Sequence, residues 1–203
     1  MNFDIAIFYR EDMPEQMVLD LAQDLRNENV NVETEKRPNE PVAMIEWAVP
    51  AIVIFIASQY AGGFLKELGK DHYTFVKEKF YDLVSNASKI KQQKFVSSNS
   101  PNKLLEENSI TGSFAFWSQT LDGRSIKFLF LGDRDKDYYD ICTEEVLKTL
   151  QNHAEHYPSD NISTQVEKLI KKPNEIYMLF DENSKQWKVV DNVTRLLGDE
   201  NPE

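Results

Sequence analysis

The stretch Phe3-Asp4-Ile5-Ala6-Ile7-Phe8-Tyr9 decides how the rest of the chain is read. It is short, mostly apolar and rich in β-formers, without helical spacing, so it reads as a buried strand. Immediately after it, Asp12, Pro14 and Glu15 have the pattern of a helix start. Asp12 is the expected N-cap, Glu15 closes a capping box and Pro14 sits in the first turn. Met17, Val18, Leu21, Ala22 and Leu25 then recur at helical spacing, and the helix is expected to end near Asn27–Asn29.

Further out, Val30–Thr34 alternates like a second strand, and Pro38 and Pro41 bracket a loop. Val42–Ala48 reads as a short helix stopped by Pro50. Ala51–Ala57 (AIVIFIA) is a third strand. Its unbroken apolar, β-branched character points to burial on both faces, as in a parallel sheet. Strand, helix, strand, helix, strand within this span implies βαβ units with right-handed crossovers and helices on both sheet faces. The first strand is expected in the middle, between the other two. Ser58–Gly63 then becomes a loop at a strand's C-terminal end, where open α/β sheets bind ligands. A long helix is expected from Phe64 to about Ile90.

Val96–Ser109 is polar, carries Pro101 and is the best internal boundary. Beyond it, Ile110–Thr120 and Ser125–Leu131 flank Leu121-Asp122-Gly123-Arg124, a strong hairpin signal. Helices are expected at Asp135–His156 and Asn161–Lys171. A second hairpin joins Glu175–Asp181 to Gln186–Val190. The fold class expected is α/β: an open sheet with a parallel βαβαβ N-terminal half, extended by antiparallel hairpins. Residues 1–203 form one domain in this reading, with sub-parts 1–95 and 110–197.

Composition excludes several function classes. Net charge is −11, and the densest basic run, Lys89–Lys94, carries only three charges. Phosphate backbones demand a basic face, so nucleic acid is not an expected partner. The longest apolar run, Ala48–Ala57, is broken by Pro50 and too short to span a bilayer. With no secretion signature at Met1–Asp4 and a single cysteine, Cys142, the expected location is cytoplasmic.

The segment Ile7–Asp12 (IFYRED) resembles the opening of bacterial Toll/interleukin receptor (TIR) domains. The order of elements that follows is similar, and so is the run Ser58-Gln59-Tyr60, Phe64 and Glu67-Leu68 after the third strand. The resemblance covers residues 3–85 and implies a TIR- or flavodoxin-like N-terminal half. It departs from the family in lacking the acidic-Gly loop after Val30–Thr34, in a short Ser58-to-Glu67 interval and in Phe64 replacing Trp. It implies a signalling or defence module working through protein contacts. Its enzymatic form would be an NAD glycohydrolase with Glu67 as the catalytic carboxylate, stabilising the oxocarbenium charge. Tyr9, Arg10 and Ser58 would then line the cofactor crevice. A small-ligand or nucleotide sensor using that crevice is a third reading. The preferred expectation is a protein partner, with a homo-oligomer as one form of it, and no cofactor.

Other constellations weigh less. Asp133, Asp135, Asp137 and Glu144 have calcium-loop spacing, but Tyr138 stands where glycine is needed and Asp140 where an apolar residue belongs. No metal is therefore expected. His153 and His156 are read as cations favoured at a helix C-terminus. Cys142 has no activating base nearby in sequence.

Overall fold

A computed structural model describes residues 3–38, 50–64, 69–90 and 110–190. The helix expected at Val42–Ala48, the boundary Val96–Ser109 and Glu67 lie outside the described residues. The elements are β1 (Ile5–Arg10), α1 (Glu15–Asn27), β2 (Val32–Arg37), β3 (Ile52–Ile56), a π-helical turn (Tyr60–Phe64) and α2 (Gly69–Ser88). They continue with β4 (Phe114–Gln119), β5 (Ser125–Leu129), α3 (Lys136–His156), α4 (Asn161–Glu167), β6 (Glu175–Asp181) and β7 (Gln186–Val190).

All the strands join one seven-stranded mixed sheet, in the order β2-β1-β3-β4-β5-β6-β7. β1 lies between β2 and β3, as expected, and both hairpins extend the same sheet. The direction of β3 corrects the parallel N-terminal half. β1 and β2 are parallel, but β3 runs antiparallel to β1, with Ile5 opposite Ile56 and Tyr9 opposite Ile52. The apolar run of β3 was read correctly as burial, since Ile52, Val53, Ile54 and Ile56 are all fully buried. Burial on both faces does not fix direction, however, because an interior strand of a mixed sheet is equally enclosed.

The sheet is built as three parallel pairs, β1–β2, β3–β4 and β5–β6, joined at antiparallel seams. Each pair is bridged by described helices: α1 in the first, α2 in the second, and α3 with α4 in the third. All of them cover one face. The Tyr9 hydroxyl reaches Glu15 of α1, Phe80 of α2 meets Phe116, and Tyr139 of α3 meets Phe114. The Trp187 indole donates to the Cys142 carbonyl of α3, and Val189 bonds to Gln165 of α4. The strand registers put Tyr9, Ile52, Phe114, Phe116, Phe128, Met178 and Val189 on the same side. All the described helices thus lie on one face, while the helix expected at Val42–Ala48 lies outside the described residues. Given these strand directions and a common helix face, the β5–β6 connection must wind with the opposite hand to the other two. Right-handed winding is the norm for single-helix crossovers, and β5–β6 is the connection with two described helices.

The core between sheet and helices is aromatic. Phe114, Phe116, Phe128, Phe130, Phe180 and Trp187 contact one another edge-on or tilted at centroid distances of 4.9–5.7 Å. Edge-to-face contacts of this kind add to simple area burial.

Candidate functional site

The residues expected to form a crevice are divided between two ends of the sheet. Tyr9 and Arg10 sit at the C-terminal end of β1. Because β3 is reversed, its C-terminal end lies beside Ile5, at the other end of β1. Ser58, two residues beyond Ile56, is therefore about 20 Å along the strand axis from Tyr9, at ~3.3 Å per residue. It is half-buried in the helical turn after β3, where a loop was expected.

The Tyr9–Arg10 end is satisfied by its own charges. The Tyr9 hydroxyl donates to Glu15 Oε1 at 2.8 Å, and Lys36 Nζ donates to Glu15 Oε2 at 2.9 Å. Burial and then Glu15 push the Tyr9 phenol upward, while Lys36 and Tyr9 hold the Glu15 carboxyl down. Arg10 donates from Nε and Nη2 to the two carboxylate oxygens of Asp12, at 3.0 and 2.9 Å. Asp12 and Glu15 therefore form no capping box. Helix α1 begins instead after Pro14, without a side-chain cap. The carboxylates of the expected cap satisfy cations of the β1–β2 end.

The acid-rich run before α3 is likewise engaged. Asp135 caps the helix, accepting from the Tyr138 amide at 2.8 Å. Glu144 turns to α2, accepting from the Tyr81 hydroxyl at 3.0 Å and pairing with Lys148 at 3.1 Å and Lys77 at 3.5 Å. Among the described residues, no three His, Cys, Asp or Glu side chains are grouped to hold a metal ion. Burial pushes the Cys142 thiol up to about 12, which removes its nucleophilic form at neutral pH.

The two histidines of α3 separate. His156 is exposed, and its ring bonds to Asn152 of its own helix. His153 is almost wholly buried, with Nδ1 2.9 Å from Asp160 Oδ1. Its Nε2 accepts the Leu121 amide at 3.2 Å. A backbone N–H can only donate, so Nε2 is the unprotonated nitrogen and Nδ1 carries the proton facing Asp160. Asp160 also caps α4, accepting from the Ile162 and Ser163 amides and from the Ser163 hydroxyl at 2.6 Å. Ser, Asp and His are in contact, but in the wrong order for nucleophilic catalysis. The serine donates to the aspartate, and the nitrogen that would act as base is already occupied.

The most distinctive unclaimed surface is the sheet face opposite the helices. Register places Phe8, Arg10, Val53, Phe55, Ala115, Trp117, Lys127 and Tyr177 there. Trp117, Lys127 and Tyr177 are cross-strand neighbours on β4, β5 and β6. The Lys127 ammonium lies 4.8 Å from the Trp117 ring centre and 5.4 Å from that of Tyr177. It also pairs with Glu175 at 2.8 Å, and Glu175 accepts the Tyr177 hydroxyl at 2.6 Å. Lys127 and then Tyr177 hold the Glu175 carboxyl down. At the other side of the face, the Arg37 guanidinium stacks 4.0 Å over Phe8. Between these patches lie the buried Val53, Phe55 and Ala115. The result is a half-buried aromatic surface with cations laid across its rings. This surface was not picked out from the sequence. Its signal was the Asp122-Gly123 turn, which sets Trp117 opposite Lys127.

No described helix is long and apolar enough to cross a membrane. No family model matches the chain, and comparison with curated proteins and with solved structures returns no match.

Proposed function

We propose that the protein is a protein-interaction module that binds its partner through the patch of Trp117, Lys127 and Tyr177, on the sheet face opposite the described helices. The observation that carries this reading is the cross-strand cluster of Trp117, Lys127 and Tyr177 on that face. The Lys127 ammonium lies across the half-buried Trp117 and Tyr177 rings, beside the buried Val53, Phe55 and Ala115 of the same face. Aromatic residues with positioned cations are the usual energetic anchors of such interfaces. The antiparallel β3 breaks the parallel strand order on which the TIR resemblance rests, so the resemblance lends this reading no support. The glycohydrolase and sensor readings draw less support, because the reversed β3 separates Ser58 from Tyr9 and Arg10, and Asp12 already occupies the Arg10 guanidinium.

The test compares partners captured by the wild type and by a Trp117→Asp/Tyr177→Asp variant. A Leu19→Asp/Ile141→Asp variant, altered at exposed apolar positions on the helices, serves as control. Loss of an anchor worth about 2 kcal/mol weakens binding roughly 30-fold. The sheet-face variant is expected to lose partners that the control retains. Equal retention by both variants, or nicotinamide release from NAD by the wild type, contradicts the proposal.

A further inference from the structure

Among the described residues the sheet ends in two edge strands, β2 and β7, and an edge strand is a template for another chain. β2 protects itself by composition, since Glu33, Glu35, Lys36 and Arg37 are all charged. β7 has no such protection. Its sequence, Gln186-Trp187-Lys188-Val189-Val190, has one charge and three strong β-formers.

The Gln165 side chain meets the outward backbone of β7. Gln165 Oε1 accepts the Val189 amide at 2.8 Å, and Gln165 Nε2 donates to the Trp187 carbonyl at 3.4 Å. The same Nε2 lies 3.1 Å from Asn161 Oδ1, which holds the amide in orientation. Trp187 and Val189 are two residues apart, and their outward carbonyl and N–H are the pair that one residue of a parallel neighbour would bond; an antiparallel neighbour opposite Val189 would need the same Val189 N–H. A glutamine amide has one acceptor and donor hydrogens like a peptide unit, and it fills that place. The opposite edge repeats the device. Arg26 of α1 donates to the Val32 carbonyl of β2 from Nε and Nη2, at 3.1 and 2.8 Å.

We propose that Gln165 is an edge guard, standing in for an eighth strand, and that the surface it covers fits the β7 strand of a second copy of this chain. Antiparallel pairing of two β7 strands with Val189 opposite Val189 is isologous. It closes on a dimer, sets Lys188 against Val190 and avoids a Lys188–Lys188 contact. This inference does not depend on binding through the Trp117–Lys127–Tyr177 patch.

The test is sedimentation of Gln165→Leu against the wild type over a hundredfold range of concentration. Helix α4 keeps its Asp160 cap and its buried Ile162 and Val166 in this variant, so the guard is removed and its support remains. Gln165→Leu is expected to form a concentration-dependent dimer beyond any association of the wild type. Adding Val189→Pro removes the outward N–H without touching the β6 ladder, which an edge position tolerates. The double variant is expected to sediment like the wild type. Unchanged sedimentation of Gln165→Leu, or association that persists with Val189→Pro, overturns the proposal. If Gln165→Leu does not fold, amide exchange in the wild type decides. The guard requires the Val189 amide to exchange at least tenfold more slowly than an unpaired edge amide, and free exchange there overturns it.

Discussion

His153 joins three separate pieces of chain through one imidazole. It holds the β4–β5 turn by the Leu121 amide, closes the last turn of α3, and meets the carboxylate that starts α4. Replacing it with leucine leaves the Asp160 carboxylate buried without its counter-group, and the Leu121 amide without an acceptor. The expected loss is about 3 kcal/mol, read as a lower urea midpoint. The same site gives a signed pH dependence. Burial raises the Asp160 pKa, but the Ser163 hydroxyl, His153 and the Ser163 amide outweigh it, and the net shift is downward. A lowered carboxylate pKa adds stability that is fully present above the unfolded aspartate range near pH 4. That stability is lost as pH falls through the folded value. Asp160→Asn should therefore be less stable than the wild type at pH 7, with the gap narrowing towards pH 3. A gap that widens on acidification contradicts the assignment. The sequence places His153 and His156 on the same helix end, but the spacing of the pair carries no information about which of the two is enclosed by Leu121 and Asp160.

Among the elements, the two glycine positions at close or unusual backbone sites are the sharpest tests. A methyl group added at Gly62 would lie 2.8 Å from the Ala154 Cβ, where the π-helical turn presses on α3. Gly62→Ala should cost about 1–3 kcal/mol through forced separation of the two. A compensating Ala154→Gly change should recover most of it in a double-mutant cycle. Gly123 has φ of +88° with open space around it. Gly123→Ala should therefore cost roughly 1–2 kcal/mol from backbone conformation alone, with no rescue by changing neighbours. Both are measured by urea unfolding, and a neutral result at either position contradicts the corresponding geometry. The hairpin at Gly123 was legible because Asp-Gly encodes its own turn. The second hairpin, β6–β7, was legible from two β-rich runs around Glu182–Lys185. The turn at Tyr60–Phe64 was not, since Gly62-Gly63 reads as loop until the contact with Ala154 is known. Helix α4 stops at Glu167 rather than Lys171, and the start of α1 moved past its expected cap. At Tyr60–Phe64 a tertiary contact decided, and at the start of α1 the ion pairs of Asp12 and Glu15; neither is written into local spacing.

For the whole molecule, strand order was readable while strand direction was not. Alternating strand and helix patterns put β1 at the centre of the first three strands, and the structure agrees. The direction of β3 is set by residues far along the chain: Phe114 and Phe116 pair beside it, and the Ser118 hydroxyl donates to the Ile56 carbonyl. That reversal separates Ser58 from Tyr9 and Arg10, and the proposed partner surface is instead the patch of Trp117, Lys127 and Tyr177. The most direct test is a distance between spin labels at Glu11 and Gln59, both exposed and each just beyond one end of the β1–β3 pair. The buried Cys142, with its thiol pushed up to about 12, should stay unlabelled. Antiparallel β3 predicts a separation of more than about 20 Å, from strand rise alone. A parallel β3 would bring the two positions to the same end of the sheet, and a distance under about 12 Å would contradict the account.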